Sequence, residues 1–377
     1  MRPLEGIRVL DFSTLLPGPL ATLILAEAGA EVIKIERPPV GDEARTYEPR
    51  VGQDSLMFAQ LNRGKRSVAI DLKTKGAVDR LMPLLISADV LIEQFRPGVM
   101  QRLGLGYEAL QAINPKLVYC SLSGYGRYGP KSDKAAHDLN YVAESGMLAL
   151  TCREGTPPAL PPTLIADIGA GSLPAVINVL LGLHGRIATG RGCYIDLSMN
   201  DNLLPFMYWA IGEGLGLQRW PRPGQEKATG GSPRYNLYRT SDHRYLAAAP
   251  LEDRFWGKFC DVIELQECLR DDSKDPAATL AAVARVIGAK TAEHWRQRFD
   301  GVDACVSVVA TLEEGLNDPH YRARGVFAHN VAAGGRVMPA VPVPVDAAFR
   351  SRPGVCAYPT LGEANALLES AHPRRTG

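Results

Sequence analysis

The most constraining feature of this chain is a series of short apolar runs separated by segments of helical periodicity. Ile7–Asp11 reads as a buried strand. Gly18–Gly29 reads as a helix, with Leu20, Leu23, Ile24 and Leu25 at helical spacing and Gly29 as its stop. Glu31–Ile35 and Ser67–Leu72 are further strands, and Lys75–Ser87 is helical, with Val78, Leu81, Leu84 and Leu85 on one side. Asp89–Ile92, Leu117–Leu122 and Tyr194–Leu197 complete the strands. Ile168–Leu183 is the longest apolar helix and carries Pro174 in its early turns. Alternation of this kind predicts a parallel sheet with helices on both faces.

At 377 residues the chain exceeds one ordinary core, so two domains are expected. The Pro-, Gly- and charge-rich stretch Pro221–Pro233 marks the passage between them. We expect a large domain over 1–220, a small α+β domain over 221–325, and a return segment over 326–377 packed on the large domain. Met199–Leu217 is apolar but is broken by Asn, Asp, Pro, Glu and Gly, and reads as a buried helix rather than a membrane span. The start of the chain leaves no room for a signal peptide before its first strand. Seven scattered cysteines without CxxC or Cys/His spacing predict reduced thiols, a cytoplasmic location and no zinc site.

Forty-two Lys and Arg against 41 Asp and Glu give a net charge of +1. That balance supplies no global field for nucleic acid or a membrane surface, so an anionic ligand must be held by local clusters of base. The opening strand–helix–strand ending in Glu36 mimics a dinucleotide-binding unit. The turn after Asp11, Phe-Ser-Thr-Leu-Leu-Pro-Gly-Pro, contradicts it, because it lacks GxGxxG and its prolines remove N–H donors.

Several stretches carry more specific information. They include Leu4–Asp11, Pro17-Gly18-Pro19, Gly29–Pro38, Asn62–Ser67, Phe95-Arg96-Pro97-Gly98, Ser123-Gly124-Tyr125-Gly126, Ala166–Gly171 and Pro359–Glu363. Together they resemble the class III CoA-transferase family, also called the CaiB/BaiF superfamily, over nearly the whole chain. The resemblance implies a Rossmann-like, doubly wound parallel sheet, a smaller second domain and an interlocked homodimer. It also implies an acyl-CoA substrate, with CoA as part of that substrate and no separate cofactor or metal. Two chemistries occur in such a family: CoA transfer through an aspartyl anhydride and thioester, and racemisation at the α-carbon. Ala136–Tyr141 with His137, the turn Gly230-Gly231-Ser232-Pro233, and Pro250-Leu251-Glu252 before Phe255 are similar to the α-methylacyl-CoA racemase branch. Glu144 and Arg234 depart from that branch.

Asp167, at the start of the long helix, has two compatible roles, as an N-cap and as a catalytic carboxylate near free N–H groups. A lone histidine is usually structural, but inverting a stereocentre needs an acid and a base on opposite faces of one carbon. The resemblance assigns these to His137, oriented by Glu252, and Asp167; Asp138 is expected to cap a helix. Arg37 ends the second strand, where doubly wound sheets bind ligands. Arg63, Lys65 and Arg66 form a basic cluster beside Asn62, and Arg96 and Arg102 flank Pro97. The family pattern points to Arg37, Asn62, Lys65, Phe95 and Arg102 as CoA contacts. Racemisation of a 2-substituted acyl-CoA is the leading expectation, CoA transfer the first rival, and an inactive CoA-binding protein the rival of another class.

Overall fold

The computed structural model describes residues 1–153 and 155–369. The chain forms two compact units, one from Met1–Ser145, Pro161–Phe206 and the chain from Arg322 onward, the other from Gly146–Leu160 and Met207–Tyr321.

The first unit is built on a six-stranded, all-parallel sheet. Its strands are β1 (Arg8–Phe12), β2 (Glu31–Glu36), β3 (Arg66–Ala69), β4 (Val90–Glu93), β5 (Val118–Ser123) and β6 (Tyr194–Ser198). Their order is β3-β2-β1-β4-β5-β6, the doubly wound arrangement whose ligand crevice opens beyond the strand ends where the order reverses, between β1 and β4. The apolar runs read as strands because both faces of the sheet are covered. Leu10 pairs with Ile33 on one side and Leu91 on the other, and all three are fully buried. The third strand stops at Ala69, short of the expected Leu72, and Asp71–Lys73 turns away at its carboxyl end.

Helix α1 (Pro17–Glu27) begins on a proline, whose missing N–H costs nothing in the first turn. Helices α2 (Leu56–Asn62), α3 (Ala77–Ser87) and α4 (Asp138–Glu144) follow. The long apolar helix is composite: a π-helical turn over Ala166–Ser172 leads into α5 (Leu173–Thr189), with Pro174 in the first α-helical turn. By length and composition Ala166–Thr189 is apolar enough to cross a membrane; it packs on α1, β5 and β6. Ile177, Leu180, Leu181 and Ile187 on it remain exposed. The chain from Arg322 contributes Ala364, Leu367 and Leu368 to the core of this unit, anchored where the Gly362 N–H donates to Ser67 Oγ at 3.0 Å.

In the second unit, β7 (Asn236–Arg239), β8 (Tyr245–Ala248) and β9 (Val306–Val308) form an antiparallel sheet in the order β9-β8-β7. Its core joins Trp256 and Phe259 of α6 (Asp253–Val262), Val283 and Ile287 of α7 (Pro276–Gly288) and Trp295 of α8 (Ala292–Phe299). The unit starts at Met207, where a boundary near 221 was expected, and takes in 146–160 as well. Arg153 donates to Asn236 Oδ1 at 3.2 Å, a long-range contact with no local sequence signature. Met199–Leu217 is not one buried helix. A 3-10 turn, Asp201–Met207, precedes a ten-residue helix, Tyr208–Leu217, on which Tyr208, Leu215 and Leu217 are exposed.

Candidate active site

The sheet's carboxyl edge is organised by buried charge. Lys34 and Lys65, both buried, lie 4.0 Å and 3.2 Å from Asp11 Oδ2, and Lys34 lies 2.9 Å from Asp42 Oδ2. Burial works against charge in Asp11, Lys34 and Lys65. The two ammonium groups nevertheless hold the Asp11 carboxyl well below the usual range. Burial pushes Lys65 down to about 8, against the pull of Asp11. In the turn after β1, the N–H groups of Ser13, Leu15 and Gly18 donate to Asp11, Asp42 and Gln94 at 2.9, 3.1 and 3.1 Å. The donors a pyrophosphate would need are thus already engaged by the protein. Glu36 likewise accepts from Arg45, Ser67 and the Asp42 N–H, at 2.6–2.9 Å.

Two of the expected CoA contacts, Lys65 and Asn62, are buried and engaged within the protein. Lys65 is 4% exposed and its Nζ donates to Asn62 Oδ1, Thr22 Oγ1 and the Pro19 carbonyl at 2.8, 2.8 and 2.9 Å. Asn62 is fully buried, with its amide nitrogen on the Phe58 carbonyl. Both point inward and tie α1 to α2. Their neighbours form no cation cluster either: Arg63 is buried against Glu27, and Arg66 pairs with Glu31.

The other three residues expected to contact CoA line one cleft. A cleft of about 520 Å³ at the ends of β1, β2 and β3 is lined by Arg37, Phe95 and Arg102. Arg37 and Arg102 are exposed, and among the described residues neither has a carboxylate within ion-pair distance. Lys73 joins them in the wall. Sequence reasoning missed it, although it follows a strand on the side where such sheets bind ligands.

A second cleft, about 380 Å³, contains His137 and Asp167 and also reaches Phe95. Phe95 therefore borders both. His137 immediately precedes α4, and its N–H donates to Asn140 Oδ1 at 3.0 Å. Asp167 is not an N-cap. It lies inside the π-helical turn, and its carboxylate is left for the cleft. The cap comes from elsewhere: the buried Asp138 carboxylate accepts the N–H groups of Ala166 and Asp167 at 2.7 and 3.0 Å. Asp138 thus clasps the turn that carries Asp167 rather than its own helix. Burial, and then the Asp138 charge, push the Asp167 carboxyl up to about 6, with His137 pulling the other way. Tyr141, pushed up to about 12 by burial and by Asp167, donates to the Ala136 carbonyl at 3.0 Å and steadies the approach to His137. A Cβ on Gly124 would fall 2.3 Å from the Tyr141 hydroxyl oxygen, so this cleft needs glycine there.

Glu252 stands in the second unit, exposed, at the N-terminus of α6. Arg234 is internal to that unit, paired with Asp272 at 2.7 Å and Asp253 at 2.6 Å. Glu144 receives Lys131 at 2.6 Å and also Lys134. Gly231 packs so tightly that a Cβ would lie 2.0 Å from the Gln225 carbonyl oxygen. Among the described residues no cluster of three or more His, Cys, Asp or Glu side chains could hold a metal ion.

This fold and these clefts define a known class of protein. The family model for CoA-transferase family III matches residues 4–365, and the chain belongs to that family. It is 36% identical over 365 residues to a mouse (Mus musculus) α-methylacyl-CoA racemase, spanning 96% of this chain and 91% of the relative. It is 34% identical over 382 residues to an acetyl-CoA:oxalate CoA-transferase of Acetobacter aceti, spanning 97% and 95%. A CaiB/BaiF family protein from Brucella suis superposes with a TM-score of 0.82 at 27% identity, covering 97% of this chain and 98% of that one.

Proposed function

We propose that the protein racemises or epimerises 2-methyl or otherwise 2-substituted acyl-CoA thioesters by proton transfer at the α-carbon. One observation carries the reading: His137 and an Asp167 raised to about 6 face the same cleft. A carboxyl group tuned towards neutrality can both take and return a proton near pH 7. One group removes the α-proton, the electron pair moves into the thioester as an enolate, and the other group delivers a proton to the opposite face. The Ala166 and Asp167 N–H groups are held by Asp138 and fix the turn from which Asp167 works. Glu252 orients His137 in this reading, from its own chain or from a partner. The CoA nucleotide lies along Arg37, Lys73 and Arg102, and its pantetheine passes Phe95 into the catalytic cleft. CoA serves as part of the substrate, with no other cofactor required, and the enzyme works in the cytoplasm as a homodimer. The exposed apolar face of α5 supports self-association.

The relationship to a CoA-transferase at nearly equal identity keeps one rival. There Asp167 attacks the thioester carbonyl, and nothing happens without an acceptor acid. In deuterated water, wild-type protein should wash deuterium into the α-position of a 2-methylacyl-CoA with no second acid present. His137→Ala should slow racemisation by about 10² to 10⁴. Hydroxylamine or borohydride trapping of an Asp167 adduct, without α-deuteration, would replace this reading with transfer.

A further inference from the structure

The turn between β1 and α1 contains a residue whose backbone is out of place. Leu15 has φ +63°, a left-handed conformation that bulky side chains rarely adopt. It lines the catalytic cleft. Its N–H lies 3.1 and 3.3 Å from the two oxygens of Asp42, which is 1% exposed. Asp42 is itself fixed by Lys34 at 2.9 Å, by the Ala44 N–H at 2.9 Å and, through its own N–H, by Glu36 at 2.9 Å. Lys34 holds the same turn a second time, donating to the Ser13 carbonyl at 2.7 Å. Asp42 also forms part of the wall of the Arg37–Arg102 cleft.

We infer that Asp42 is a positioning residue, which holds Leu15 in its left-handed conformation against the reacting end of the substrate from within the wall that receives the nucleotide end. The assignment rests on the two clefts serving one acyl-CoA, as proposed above. A neutral amide at this position keeps one acceptor but loses its ion pair with Lys34, so its hold on the Leu15 N–H weakens. Leu15 then relaxes towards the ordinary negative-φ region and carries the cleft wall with it. A misplacement of this kind acts on turnover more than on ground-state binding. Glycine at position 15 accepts positive φ without strain, so it removes the need for the clamp.

The test is a double-mutant cycle. Asp42→Asn should lower kcat by roughly tenfold or more in the Leu15 background, a larger factor than any change in the dissociation constant for CoA. In the Leu15→Gly background the same substitution should cost less than about twofold. An equal loss in both backgrounds would overturn the inference, because a merely structural ion pair is indifferent to residue 15. The cycle is a ratio, so it can be read in α-deuteration or, should that be absent, in transfer to an acceptor acid; its failure is thereby distinct from failure of the racemase reading. If Asp42→Asn does not fold, amide exchange in wild-type protein decides. A Leu15 N–H protected like the neighbouring strand amides supports the clamp, and exchange at the rate of exposed loop amides refutes it.

Discussion

Asp138 acts on its neighbour through two backbone N–H groups and one charge, and these can be separated. Asp138→Asn keeps an acceptor for Ala166 and Asp167 but removes the negative charge that helps raise Asp167. The acid limb of kcat/KM, expected near pH 6 for wild type, should therefore move to lower pH in the variant. An unmoved limb would mean that Asp138 only caps. The same raised carboxyl bears on stability. Its folded pKa exceeds the unfolded one, so the folded state binds the proton more tightly, and stability falls as pH rises from about 4 through 6. Asp167→Asn should accordingly stabilise the protein at pH 8 by up to roughly 2–3 kcal/mol, less solvent screening, and hardly at all at pH 4; thermal melts at the two values check this. Lys65 behaves differently. Removing it leaves Asp11 buried without one of its two cations, so Lys65→Ala should cost about 3–5 kcal/mol in urea unfolding while the folded fraction keeps its affinity for CoA. A large loss of CoA affinity with normal stability would reinstate Lys65 as a ligand contact.

Elements were more legible in the sequence than their functional ends. The strands of the parallel sheet form where the apolar runs place them, the third ending early at Ala69, because strands covered on both faces are mostly apolar. The pairing of His137 with Asp167 followed from family resemblance, since nothing in a spacing of this kind brings α4 to the composite helix. Three features left no trace. A π-helical turn has the same residue preferences as an α-helical one, so Asp167 read as a cap. The partner that does cap its turn lies 29 residues upstream, beyond any local signal. Basic residues at 63, 65 and 66 look alike in a sequence, yet burial separates them into core ligands and a surface ion pair. Gly124, by contrast, shows how an element end sets the cleft. Gly124→Ala would drive a methyl group into Tyr141, whose hydroxyl holds the Ala136 carbonyl next to His137. Overpacking should cost about 1–3 kcal/mol. The loss in kcat should exceed that of a distant substitution with the same effect on Tm, and full activity at unchanged Tm would show that Tyr141 has room to move.

At the scale of the molecule, one feature stands out, the exposed apolar side chains of α5. Ile177, Leu181 and Ile187 are 56%, 62% and 82% exposed, on the helix that continues the π-helical turn carrying Asp167. A cluster of exposed apolar side chains of this kind marks a surface suited to association. If a second copy covers it, the midpoint of thermal unfolding should rise with protein concentration, each tenfold increase adding about 1.4 kcal/mol per mole of dimer. A midpoint unchanged over a hundredfold range would mean that the face stays open. The consequence reaches beyond equilibrium. When the surface that completes one chain belongs to another, the last stage of folding is an encounter. Recovery of activity from denaturant should then be second order, with a half-time that shortens in proportion as more chains are present. The helix that carries Asp167 would be among the last parts to settle, so a newly made chain would have its sheet before it has its chemistry.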